Sequence, residues 1–389
     1  MFKTKIFRAN PKYKLVPYEN LTPTHQNNLS QLRADPDFFG VLLPNENSGL
    51  TIKAICHQTA QLYKNLQYPG KIPKEIISSL GEETNTTIKK LLLDGILELQ
   101  TENGFVSGAE VYSIFEPEKD LTNNGNKLSQ LSIKAIEYAE KLNITDVTKL
   151  SARLYFYNRF PLSTKRNQAF LNQKDTLKYL NLHLQGKYYH FLEKYWEPVK
   201  PPNKYGDYWS IWQSTYNHKP IQKKQWRYKL YISTNIESQK EILGEVIGIL
   251  SETETHSLKF AKQMSGLLRA DNFIAYFNTL ESLQNTAKKL ASAFANIPGQ
   301  GVPFTAEITS GGLLSWGMDP PRDKYQANWQ EKESWRLWIT NRLASAIIAA
   351  KSHKNTDLKP GKFALKRLSL EGIDTTNWIP SISLLNSYE

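Results

Sequence analysis

Cysteine is almost absent from this chain: among 389 residues only Cys56 carries a thiol. One thiol excludes an internal disulfide framework and a thiolate-rich zinc site, and reads most simply as a small buried apolar residue. Long apolar runs are missing too. With a mean hydropathy of −0.51 and no apolar stretch of about 18 residues or more, the sequence offers no spanning helix. The opening MFKTKIFRANPKYK is basic, but neither an apolar h-region nor a small-residue cleavage site follows it, so no secretory signal is read and the cytoplasm is the expected compartment. There is no phosphate-loop or dinucleotide glycine spacing, no G-x-S-x-G elbow and no kinase signature set. The seven histidines show no metal-ligand pairing with Cys, Asp or Glu. Nucleotide, acyl-enzyme and metal chemistry thus lack support, and no cofactor is expected.

What is present describes a folded, basic protein. Apolar residues at 40% and aromatics at 12% exclude a disordered chain, and the length exceeds one ordinary core, so two domains with a helical connector are expected. A formal net charge of +12 points to an anionic partner: nucleic acid, membrane headgroups, or an acidic or phosphorylated peptide.

Polar, turn-rich stretches at 116–129 (EPEKDLTNNGNKLS) and 197–207 (EPVKPPNKYGD) interrupt the periodic segments and mark the boundaries. They divide the chain into residues 1–116, a helical connector over 129–200, and a C-terminal domain over 205–389. In the first part, TNTTIKKLLLDGILELQTENGFVSG reads as a helix, a turn and a two-stranded hairpin, an order that resembles a winged helix. Such a hairpin can dock a peptide strand, bind nucleic acid, or be structural with no partner. The connector includes LSARLYFYNRFPLS, residues 150–163, whose Tyr, Phe and Arg can stack or bind phosphate, although packing between domains explains them more simply.

The chemistry concentrates in the C-terminal part. From Gln225 to Thr234 the chain alternates, which predicts a strand with Lys229 and Tyr231 on one face and Leu230 and Ile232 on the other. HSLKFAK predicts a second strand with Lys259 opposite an apolar face. LLRADNFIAYF then places Arg269 in a loop before a third strand that contains Tyr276. Two further arginines, Arg322 and Arg336, lie before and within the first turns of the helix predicted in ESWRLWITNRLASAIIAAK. Basic residues on strands, followed by arginines near a helix start, suit a phosphate monoester: guanidinium forks grip its oxygens, lysine adds compact charge and a helix N-terminus adds its dipole.

The succession RYKLYIST, SLKFAK, LLRADNFIAYF, GVPFTAEITSGGLLSWGMDPP and ESWRLW resembles the HopA-type effector family, relatives of which occur in lanthipeptide and thioamide peptide biosynthesis. It resembles, more distantly, the phosphothreonine lyases of secreted bacterial effectors. The resemblance spans roughly residues 225 to 350. It implies an α+β fold with a phosphothreonine-lyase-like C-terminal sheet and flanking helices. It implies β-elimination of phosphate from phosphoserine or phosphothreonine in a precursor peptide, leaving a dehydroamino acid. Carried over, Lys259 is the base. Lys229, Arg269, Arg322 and Arg336 bind phosphate, the last two with a wider separation than in the family pattern, and Tyr276 lines the site. The position of the lyase histidine is Tyr231 here. A phenol, with an unperturbed pKa of about 10, cannot titrate near neutrality as a histidine does. A phosphate leaving group has a second pKa of about 6, so hydrogen bonding from Tyr231 suffices in principle. The implied partners are the phosphorylated precursor peptide, a separate Ser/Thr kinase-like protein, and in some settings a cyclase; no membrane partner is expected and nucleic acid ranks below peptide. The competing reading is a non-catalytic peptide-binding or effector/chaperone-type module that keeps the lyase fold.

Overall fold

The computed structural model describes residues 2, 4–46, 50–115, 125–170, 172–199, 208–215, 228–320, 333–352 and 359–381. They form a mixed helix and sheet protein that divides into two compact units, in which every described pair of strands is antiparallel. No described helix is long and apolar enough to cross a membrane.

The first unit is drawn from Met1–Leu121 and Ser345–Glu371. Strands β1 (Phe7–Ala9), β2 (Tyr13–Pro17), β3 (Phe38–Pro44), β4 (Lys53–Cys56), β5 (Leu97–Thr101) and β6 (Gly104–Val106) make two three-stranded sheets, ordered β1-β5-β6 and β2-β3-β4. The helix read from sequence spans Thr84–Leu93 and buries Ile88, Leu91, Leu92 and Leu93. Gly95, at φ 72°, makes the left-handed turn into β5, a conformation that costs glycine nothing. Across the sheet Arg8 pairs with Glu98 at 2.6 Å, directly opposite in register. The unit has its own core, centred on Phe7, Leu42, Leu66, Ile88, Leu92 and Leu97.

The second unit, drawn from Thr122–Pro320, Glu333–Ala344 and Gly372–Glu389, holds the large sheet. Its strands are β7 (Trp196–Pro198), β8 (Trp209–Ser214), β9 (Tyr228–Ile232), β10 (Ser257–Ala261), β11 (Phe273–Phe277), β12 (Ala306–Glu307) and β13 (Leu314–Met318), ordered β12-β13-β9-β11-β10-β8-β7. Alternation gives the sheet two unlike faces. Leu230, Ile232, Leu258, Phe260, Phe273, Ala275 and Phe277 share a core with Ile242, Val246, Ile247 and Leu250 of the helix Ile236–Ser251 and Leu283, Ala287 and Leu290 of the helix Leu280–Ala293. Both helices start at a side-chain cap: Asn235 accepts from the Ser238 amide and Thr279 from the Ser282 amide. The strand predicted over 225–234 is observed from Tyr228; Trp226 lies outside the described residues.

The opposite face carries the polar side chains Lys229, Tyr231, Lys259 and Tyr276 beside a small buried cluster of Ile274, Ala270 and Val302, and Trp335, in the first turn of the helix Trp335–Lys351, lies against β13. Trp335 is fully buried, stacks on Trp338 with ring centres 6.0 Å apart, and donates its indole N–H to the Phe304 carbonyl. Its ring lies so close to β13 that a Cβ at Gly317 would come within 2.8 Å of Cδ1. A tethered, stacked indole cannot yield cheaply. Gly317→Ala should therefore lower stability by about 1–3 kcal/mol, the range for overpacking a filled core, measured as a shift of the urea midpoint at unchanged slope.

Candidate active site

Strand register decides which side chains meet on the polar face. Lys229 and Tyr231 of β9 lie opposite Tyr276 and Ile274 of β11, Lys259 of β10 lies opposite Ile274, and Trp209 of β8 lies opposite Ala261. Residues two apart share a face, so Lys229, Tyr231, Lys259, Tyr276 and Trp209 all project to the same side. Arg269 enters from the turn before β11, and Arg336 from the first turn of the helix Trp335–Lys351.

These groups form an alternating series of cations and rings. The Lys229 and Lys259 amines stand 5.8 and 5.7 Å from the centre of the Tyr276 ring. Lys259 is 4.6 Å from the Trp209 ring, and the Arg269 guanidinium is 5.2 Å from that same ring. Arg269 and Arg336 then share Tyr155, at 5.3 and 4.6 Å. Such spacings allow each ring face to attract the neighbouring cation.

Among the described residues two carboxylates answer four cations. Asp271 is the hub: it accepts from Arg269 Nε and Nη2, both at 2.8 Å, and pairs with Arg336 Nη1 at 2.8 Å. The Tyr155 hydroxyl donates to it at 3.3 Å and accepts from Arg269 Nη2 at 3.1 Å. Asp319 pairs with Lys229. Lys259 alone of the four cations makes no ion pair among the described residues.

The charge states follow from this packing. Burial alone would raise the Asp271 carboxyl, but Arg269 and Arg336 hold it far below the usual carboxylate range. Burial lowers the Lys259 amine below its ordinary value; Arg269 pushes the same way, while Tyr155, Asp271 and Asp319 oppose it. Burial drives the Tyr231 phenol well above 10, so it stays protonated and is a poor proton donor in the acid–base sense.

Six of the seven residues singled out from sequence thus meet on one face: Lys229, Tyr231, Lys259, Arg269, Tyr276 and Arg336. Arg322 lies outside the described residues. Arg336 is only 2% exposed and every guanidinium nitrogen has a partner: Nε donates to the Pro303 carbonyl, Nη2 to the Tyr155 carbonyl, and Nη1 to Asp271. A phosphate would have to displace one of them, so Arg336 builds the site and holds Asp271. Sequence reasoning missed Asp271, Asp319, Tyr155 and Trp209. Tyr155 sits in the aromatic and basic stretch that drew notice, but nothing in local spacing pairs it with residues more than a hundred positions away. Among the described residues, no cluster of His, Cys, Asp and Glu is placed to hold a metal ion.

No protein-family profile matches the chain, and no curated protein matches it. Among solved structures it is similar to the effector protein from Pseudomonas syringae pv. tomato strain DC3000, at 10% identity and a TM-score of 0.40, over 65% of this chain and 98% of that one. It is also similar to the effector protein from Pseudomonas syringae pv. syringae strain 61, at 12% identity and a TM-score of 0.38, with the same coverage. The likeness to both is distant.

Proposed function

We propose that the second unit is a lyase that removes phosphate from phosphoserine or phosphothreonine in a peptide. The observation that carries this reading is the setting of Lys259: an amine without an ion pair among the described residues, held between the Trp209 and Tyr276 rings, with Arg269 beyond one ring and Lys229 beyond the other. Cations on both sides attract a phosphate dianion, while burial favours the neutral amine, the form that accepts a proton.

In the proposed reaction the neutral Lys259 amine takes the α-proton. The electrons of that C–H bond form the Cα=Cβ double bond, the Cβ–O bond breaks, and phosphate leaves with its electron pair. Lys229 and Arg269 stabilise the departing charge and the enolate-like carbonyl. Tyr231 contributes a hydrogen bond rather than a transferred proton. Arg336 and Asp271 fix Arg269. In the same reading the helix and hairpin of the first unit are a winged-helix-like peptide-recognition element, a separate kinase-like protein supplies the phosphate, and the product is the dehydrated residue of a modified peptide.

A base must be deprotonated to act, so kcat/KM for phosphate release should rise with pH along a limb whose midpoint lies below the ordinary lysine value of about 10.4. Steady-state phosphate release from a phosphothreonine peptide between pH 6 and 10 measures it. A rate independent of pH across that span would remove Lys259 as the base.

One observation favours a second reading, a binding module without turnover: Arg269 directs two of its nitrogens to Asp271. A module of that kind would bind the phosphopeptide and release no phosphate at any pH.

A further inference from the structure

Beside the site runs an open groove of about 730 Å³, lined by the end of the helix Val147–Tyr155, the turn after it, and Tyr138 and Ile144. Its cations are Lys149, Arg153 and Arg159, all exposed; no carboxylate is among its described lining residues, and Glu137 stands near enough to act on Tyr157. None of the three makes an ion pair among the described residues. Lys149 and Arg153 stand four apart on one helix face, a like-charge spacing that mildly opposes the helix when nothing neutralises it. The aromatic lining is open too: Phe156 is 43% and Tyr138 39% exposed, and the Tyr138 and Tyr157 rings lie 5.6 Å apart.

The groove is fixed to the candidate site by hydrogen bonds of its turn. Asn158, at φ 66°, donates from its side-chain Nδ2 to the Gln300 and Gly301 carbonyls at 2.8 and 2.9 Å, and the Gln300 side-chain Nε2 donates back to the Asn158 carbonyl. The Phe160 amide donates to the carbonyl of Leu268, the residue before Arg269. Phe156 at the rim stands 5.1 Å from the Arg269 guanidinium and packs edge-on against Tyr155. Phe156 thus joins the groove to Arg269.

We propose that this groove receives an acidic, aromatic-bearing segment of the same peptide that presents its phosphorylated residue to Lys259. Three cations without an ion pair among the described residues select Asp and Glu, and the Tyr138, Tyr157 and Phe156 rings select Tyr, Phe or Leu between them. The inference rests on the lyase reading for the identity of the bound peptide, but groove binding itself needs no phosphate.

The test uses the full chain and a fluorescently labelled, unphosphorylated peptide of alternating Glu and Tyr, titrated by anisotropy. Wild type should bind it, more weakly as salt rises, and should not bind a Lys/Tyr peptide of equal length. Lys149→Glu combined with Arg153→Glu should raise Kd about tenfold or more, a change of at least about 1.4 kcal/mol. Both positions are exposed, so circular dichroism should show an unaltered fold. Lys288→Glu combined with Lys289→Glu, the same charge change at exposed positions outside the groove, should leave this Kd unchanged. An unaltered Kd in the Lys149/Arg153 variant overturns the proposal, as does equal loss in the Lys288/Lys289 variant. Tighter binding of oligodeoxythymidine with the same loss in the Lys149/Arg153 variant would assign the groove to single-stranded nucleic acid instead. Acidic-peptide binding that behaves as expected, together with no phosphate release from any phosphopeptide, would sink the lyase reading and leave the groove standing.

Discussion

Lys259→Ala should reduce phosphate elimination by about 10²–10⁴-fold while leaving phosphopeptide affinity within a few fold, the range and the pattern for losing a general base. In the proposed reaction the base would act on the α-proton in the transition state, whereas Lys229 and Arg269 would hold the phosphate in the ground state too, which separates the two effects. Lys259→Met controls for the space left between Trp209 and Tyr276. A lysine whose folded pKa is lowered carries a stability penalty that is fully present below the folded value and is relieved as pH rises toward the unfolded value of about 10.4. Replacing it with an apolar side chain removes that penalty, so Lys259→Met should be at least as stable as wild type near neutrality. Wild-type turnover in either variant would contradict the assignment.

Asp271→Asn should cost about 3–5 kcal/mol of stability, the loss expected when one member of a buried ionic group is removed and its partners stay charged. Two guanidinium groups depend on this carboxylate, and Arg336 at 2% exposure has no solvent to turn to. The pH dependence has a definite sign. A carboxylate with a depressed folded pKa contributes its full stabilisation above the unfolded value of about 3.9 and loses it as pH falls through the folded value. The gap between wild type and Asp271→Asn should therefore hold from neutral pH down to about pH 4 and close only in stronger acid. Urea titrations at several pH values measure it; a gap under about 1 kcal/mol at neutral pH would show that the ionic group is not structural.

The secondary structure of the large sheet was legible because its code is short-range. Alternation in YKLYI, SLKFA and FIAYF marks strands and says that Lys229 shares a face with Tyr231. The helix Ile236–Ser251 shows in the spacing of Ile242, Val246, Ile249 and Leu250, and the helix and hairpin of the first unit in the DG turn between Leu93 and Ile96. Convergence of the six site residues is a matter of register and sheet order, which no local pattern records: β9 pairs with β11 and β13, and β10 with β8 and β11. Asp271 escaped notice because RAD looks like any polar turn, and its role appears only when Arg336, 65 positions on, folds against it. For the same reason Arg336, read as a phosphate ligand, turns out enclosed.

The most direct measurement of the central claim is intact-mass analysis of a phosphothreonine peptide after incubation with the protein, with released phosphate counted in parallel. The expected product is lighter than the substrate by one phosphoric acid, gains a thiol adduct when a thiol is supplied to the dehydroamino acid, and is matched by stoichiometric phosphate. A product lighter only by the phosphoryl group, which is hydrolysis, or an unchanged peptide that remains bound, would contradict it.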